Sequence, residues 1–316
     1  MLALRLRLVL KLRFSHVVRF PVQSTDTEGQ LGMKINVSRL AISPIFVRLG
    51  CFVLALLLLW LPLALPIYLF VSDDNFASIL AMALLYVEFI FLLRFWSINV
   101  YSQTHALPHY GLEFSRKNLV ELIQGLAIGF ISILVLFTIQ WLLGWLFFVP
   151  AEDSVVGLVL EGLLVSLAVG SAEELVFRGW LLDELQRDYL PHKALWASAI
   201  VFAVLHFIRP LEAILNTWTQ FLGLVVLGVT LVWAKRWGGG RLGMPIGLHG
   251  GLVWGYYIIN VGGLVLYSGR VPEWVTGING NPLAGFMGLL FLSAIAWWIH
   301  TQSIKNIKIH GNDTNI

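Results

Sequence analysis

Charge is scarce in this sequence: 12% of its 316 residues are Asp, Glu, Lys or Arg, against about a quarter in a soluble domain. With 58% hydrophobic residues and a mean hydropathy of +0.81, the chain cannot clothe a water-facing surface, which excludes an ordinary soluble globule. Cysteine is almost missing. The lone Cys51 can neither close an intramolecular disulfide nor supply the thiolates of a structural zinc site, so a secreted disulfide scaffold is excluded as well. Acidic residues number 18 against 21 basic ones, and a pI near 9.0 raises the question of an acidic partner such as nucleic acid. The placement of the charges answers it.

Apolar runs broken by polar punctuation fall at about 46–71, 76–93, 119–149, 154–182, 194–208, 217–234, 245–267 and 283–300. A membrane helix needs roughly 20 apolar residues, so the pattern predicts an all-α, polytopic transmembrane bundle of about eight spans, with 194–208 the weakest on length. If the spans alternate in direction, all of the Lys and Arg residues except Arg178, Arg209 and Arg270 collect on one side. The opposite loops carry Asp73, Asp74, Glu152 and Asp153 instead. That asymmetry predicts both termini in the cytoplasm and explains the basic pI by the lipid bilayer, with no nucleic acid partner.

The chain divides on this reading into a basic N-terminal segment at 1–45, a single membrane-embedded domain at 46–303 and a polar tail at 304–316. Arg5, Arg7, Lys11 and Arg13 interrupt the apolar residues that a signal peptide needs contiguous. The segment reads either as a basic, amphipathic or disordered stretch on an anionic leaflet or as an extension upstream of a start at Met33.

Ionisable residues inside spans cost about 2.5–3.5 kcal/mol each to insert and are functional candidates for that reason. They are Glu88, Glu161, Glu173, Glu174, Arg178, His206 and His249. In Ser171-Ala-Glu-Glu-Leu-Val-Phe-Arg178, helical spacing puts Glu174 about 40° from Arg178 and Glu173 about 140° away. The expected ion pair is Glu174 with Arg178, which leaves Glu173 projecting from another face without a charge partner, suited to take a proton from water. The competing reading of the same residues is one structural charge network.

His206 closes Phe202-Ala-Val-Leu-His206, where an imidazole can accept a proton, hold a water, bind a metal or merely pack. Gly247, Gly251 and Gly255 form a small-residue ridge for another helix, and His249 lies about 200° round from Gly247, away from that ridge. A base, two imidazoles and a cation make an inventory for water-activating hydrolysis.

The order Glu173-Glu174-x-x-x-Arg178, then Phe202-x-x-x-His206, then His249 resembles the CPBP family of intramembrane proteases, which includes the CAAX prenyl endopeptidases and the Abi or bacteriocin-immunity proteins. The resemblance covers roughly 170–255. It implies that Glu173 and His206 activate the attacking water on a membrane-associated, prenylated protein or peptide, and that Glu174 and His249 support the site and the oxyanion. A divalent metal such as zinc, held by Glu173, His206 and His249, or no metal at all, are both compatible with it. The family's third motif ends in Asn or Asp four residues after the histidine, where this sequence has Val253. Asn260 shares a face with His249 but lies roughly 16 Å further on, too far to substitute. Either fewer groups stabilise the oxyanion or another helix supplies an amide.

There is no H-E-x-x-H, no G-x-S-G and no G-x-G-D segment of the other membrane proteases. The alternative reading is a non-catalytic protein of the same fold, an immunity or scaffold factor, or a proton-coupled transporter using Glu161, Glu173 and His206. No internal repeat supports a transporter. Glu88 and Glu161 read as interhelical hydrogen-bond partners, and His105 and His109, with Pro108 between them, as loop residues.

Overall fold

The computed structural model describes residues 37–151, 154–208 and 210–312, with side chains to 306. The basic segment up to residue 36, with the choice between Met1 and Met33, lies outside the described residues, as do Glu152, Asp153, Arg209 and the last four residues of the tail. The main helices are α1 (Ile45–Phe70), α2 (Asp74–Tyr101), α3 (Arg116–Leu142), α4 (Val155–Glu174), α5 (Leu182–Asp188), α6 (Pro191–Leu205), α7 (Leu211–Thr217), α8 (Phe221–Trp237), α9 (Gly243–Val261) and α10 (Phe286–Asn312). Two three-residue strands, β1 (Leu146–Phe148) and β2 (Val265–Tyr267), pair antiparallel with Phe147 opposite Leu266.

Several starts follow from side-chain caps that satisfy the first amides: Asp73 accepts from Phe76 N at 2.7 Å and Ser115 from Asn118 N at 3.1 Å. Helix α1 runs unbroken through Pro62 and Pro66.

The protein is a polytopic helical bundle of the membrane. Among the described residues six helices are long and apolar enough to cross a bilayer: α1, α2, α3, α4 continued to Asp188, α7 continued through α8, and α10. Each of the eight apolar runs contains a helix, and two of these helices fall outside the six. The run at 194–208 becomes α6, whose 15 residues rise about 22 Å, short of a hydrocarbon core of about 30 Å. The run at 245–267 becomes α9, 19 residues whose N-terminal half is almost wholly buried by protein.

Loops that the charge pattern assigns to one side do meet one another. At that end Ile45 N donates to Asp188 Oδ2 at 2.9 Å, Leu242 N to Gly111 O at 2.8 Å and Asn306 Nδ2 to Trp237 O at 2.6 Å. At the other end Ser268 Oγ donates to Gly144 O at 2.9 Å, beside the β1–β2 ribbon, and Asn279 Nδ2 to Asn216 O at 3.3 Å.

Helix α9 sits against α3 and α4, and its glycines make that possible. A Cβ on Gly247 would collide with the backbone of Leu122, and one on Gly125 with the backbone of Met244, so the two helices touch main chain to main chain. Trp254 Nε1 donates to Val159 O at 2.9 Å and ties α9 to α4.

Candidate active site

Helix α4 does not end at Glu174 but widens into a π-helical turn, Leu175–Leu181, before resuming as α5. Such insertions are rare and recur at functional sites, because they rotate the preceding side chains relative to the following ones. Across this turn the expected pair forms: Arg178 Nη1 donates to Glu174 Oε1 at 2.9 Å, and both side chains are wholly buried. Arg178 Nη2 donates to Gly228 O on α8 at 3.3 Å, and the guanidinium lies over the Phe202 ring, 4.2 Å from its centroid. Glu174 Oε1 has a second partner, His249 Nδ1, at 2.9 Å. A carboxylate only accepts, so this nitrogen carries a proton, and in a neutral imidazole Nε2 is then the acceptor on the far side. The glycine ridge thus faces α3 while His249 turns toward α4.

Glu173 and His206 meet because α5 and α6 form an antiparallel pair. Glu173 precedes Tyr189 by 16 residues and His206 follows Leu190 by 16, so the two stand level on either side of the turn at 189–190. Glu173 Oε2 lies 3.7 Å from His206 Nε2 and 4.0 Å from His249 Nε2. His206 Nδ1 donates to Phe202 O at 2.7 Å, which fixes the tautomer in the same sense as that of His249. The Phe202 ring packs edge-on against both imidazoles, with centroids 4.4 Å and 6.2 Å away.

Three acceptors therefore converge. Glu173 Oε2 is shielded from solvent and makes no hydrogen bond, which is costly for a charged oxygen unless a donor joins it. A water molecule has two protons to give to such a group and a lone pair left for attack.

The converging atoms open into a cavity of about 270 Å³. One wall is apolar, with Ile133, Leu136, Leu224, Leu252 and Leu292 among its residues, and Glu173, His206 and His249 stand at one part of the lining. Val253 lines it too, so the position one turn after His249 does face the site with a side chain that cannot hydrogen-bond. Amides reach the cavity from elsewhere, from Gln220 just before α8 and from Asn281 in the α9–α10 connection.

Among the described residues no set of three or more His, Cys, Asp or Glu side chains is arranged to hold a metal ion. Glu173, His206 and His249 stand together, but as two ring nitrogens near one carboxylate oxygen at 3.7 and 4.0 Å, not as a ligand cage.

The remaining polar candidates fall elsewhere. Glu161 does not line the cavity. Glu88 Oε2 is buried without a hydrogen bond, so the interhelical partner expected for it is not found there. His109 faces Asp183 at 3.2 Å.

Three cations that read in sequence as loop charges are built into the fold. Lys235 Nζ donates to Arg178 O at 2.6 Å from the last turn of α8, directly behind the site. Arg48 is buried against Glu184 and Asp188, and Arg241 pairs with Glu121. Arg48 and Lys235 each adjoin an apolar run in the sequence, which does not say whether a long cationic stem reaches solvent or turns back into the fold. Gln220 and Asn281 had no signal either, because polar residues in connections are ordinary.

Residues 155–260, from the start of α4 to the end of α9, match the family described as Type II CAAX prenyl endopeptidase Rce1-like. All five site residues lie within this third of the chain. No curated protein and no solved structure gave a match.

Proposed function

We propose that this multi-pass membrane protein, Rce1-like over residues 155–260, is an intramembrane endopeptidase in which Glu173 activates water against a peptide bond of a membrane-associated substrate. The observation that carries the reading is the convergence of Glu173 Oε2, His206 Nε2 and His249 Nε2 at the edge of an apolar cavity, with the carboxylate oxygen otherwise unbonded.

In the reaction, Glu173 removes one proton from water while the imidazole Nε2 atoms hold its orientation. The water oxygen bonds to the scissile carbonyl carbon, and the carbonyl electrons move to oxygen. When the C–N bond breaks, Glu173 returns its proton to the leaving amine, giving a new carboxyl terminus and a new amino terminus. Glu174 takes no proton in this scheme. It fixes the His249 ring through Nδ1, and Arg178 compensates the charge that Glu174 carries into the interior.

The apolar wall suits a lipid-like or large aliphatic group next to the scissile bond, in keeping with a prenylated substrate. The alternation of charge favours an arrangement with both termini in the cytoplasm. In the transporter alternative Glu161 would have to join the relay, yet it does not line the cavity.

The test is reconstitution in liposomes with farnesylated and unprenylated membrane-proximal peptides. The expected result is cleavage by the wild type, preference for the prenylated peptide and no cleavage by Glu173→Ala. Folded wild type that cleaves neither peptide, or Glu173→Ala that cleaves at the wild-type rate, would contradict the proposal.

A further inference from the structure

Hydrolysis through a tetrahedral intermediate needs a donor where the carbonyl oxygen becomes negative, and the charged and imidazole groups of the site provide none. Both imidazole N–H groups point away from the cavity, one to Phe202 O and the other to Glu174. Arg178 is wholly buried behind Glu174 and does not line the cavity. Ser132 does, but its hydroxyl already donates to Ile128 O at 2.6 Å. The position one turn past His249 is Val253.

Resting on the peptidase reading above, we infer that Asn281, held on a rigid turn of the α9–α10 connection, donates its side-chain amide to the developing oxyanion of the substrate. The amide is oriented by its own turn. Asn281 Oδ1 accepts from Leu283 N at 2.9 Å, so the oxygen end is engaged and Nδ2, which makes no hydrogen bond within the protein, is the end left for the cavity.

The backbone around it is equally tied down. Asn281 N donates to Ile278 O at 3.1 Å and Asn281 O accepts from Ala284 N at 3.0 Å. Pro282 and Ala284 are buried, and the turn packs so closely on α8 and α10 that a Cβ at Gly223 or Gly288 would strike Leu283 or Pro282. Gln220 and Tyr256 line the same cavity, but neither side chain is held by a hydrogen bond. A donor fixed before the reaction stabilises charge at lower cost than one that must be ordered during it.

Asn281→Asp tests this with little change of shape, because the carboxylate keeps the acceptor that caps Leu283 N while losing the donor. The expected result is a kcat lower by roughly 10²–10³-fold with KM little changed, at an unchanged melting temperature. Val253→Asn, which places an amide on the cavity one turn beyond His249, is expected to recover at least about tenfold of that loss in the double variant.

A peptide phosphonate, whose charged oxygens mimic the oxyanion, is expected to bind the wild type more tightly than Asn281→Asp. Equal kcat in wild type and Asn281→Asp, a loss carried by KM alone, or equal phosphonate affinity would overturn the inference while leaving the peptidase reading intact. A folded wild type without cleavage would strike the peptidase reading instead, and the phosphonate comparison would still decide on the donor.

Discussion

The buried charges around Arg48 and those around Arg178 differ in how completely their hydrogen bonds are met. Around Arg48, Nε donates to Glu184 Oε2 at 2.8 Å, Nη1 to Ser43 O at 2.6 Å and Nη2 to Asp188 Oδ1 at 2.9 Å. Both Glu184 oxygens also accept from Tyr101 OH, at 2.6 and 2.8 Å. Around Arg178, by contrast, Glu173 Oε2, Glu174 Oε2 and Arg178 Nε are all shielded from solvent without a hydrogen-bond partner. A closed network locks helix ends together, whereas one with unmet acceptors beside a cavity is arranged for a molecule that comes and goes. Burial of charge alone would not have separated the two.

Substitutions can break or sharpen this contrast. The largest expected effect is at Glu173, where Gln should reduce cleavage by about 10²–10⁴-fold, read as initial rates in proteoliposomes normalised to folded protein. Next is Glu174→Ala, which removes the partner of both Arg178 and His249. It should cost about 3–5 kcal/mol of stability and most of the activity, seen as lower yield, a lower melting temperature and slower cleavage. Retained yield with full turnover would mean that the pair does not support the site.

Arg48→Met should destabilise by about 3 kcal/mol, since it strands Glu184 and Asp188, yet leave cleavage per folded molecule unchanged. A specific loss of turnover there would erase the distinction between the clusters. The smallest effect is expected for Tyr86→Phe, about 0.6 kcal/mol in a melting measurement for the one interhelical hydrogen bond to Ser171 O, with no change in rate.

Much of the bundle was legible because helices in a bilayer must be apolar over a set length, and runs of that kind need no structural context to be seen. The Glu174–Arg178 pair and the turning of His249 away from the glycine ridge followed from helical spacing. The full span expected at 194–208 failed on length, because Phe207 and Ile208 are apolar but lie beyond the end of α6. The π-helical turn was invisible, since a change in hydrogen-bond register leaves no mark on hydropathy. Lys235 and Arg48 misled because a long cationic stem at a helix end looks the same in sequence whether it reaches to solvent or back into the fold. Asn281 needed the tertiary structure, for nothing local distinguishes a capping amide that also faces a cavity.

The most direct measurement compares melting temperature and cleavage in Glu173→Gln. On the proposed reading the unbonded carboxylate oxygen is a stability cost of about 1–3 kcal/mol, so its neutral isostere should melt at the same temperature as the wild type or higher while cleaving at least about 10²-fold more slowly. A variant that melts lower and still cleaves would show that Glu173 holds the fold together and that the chemistry lies elsewhere.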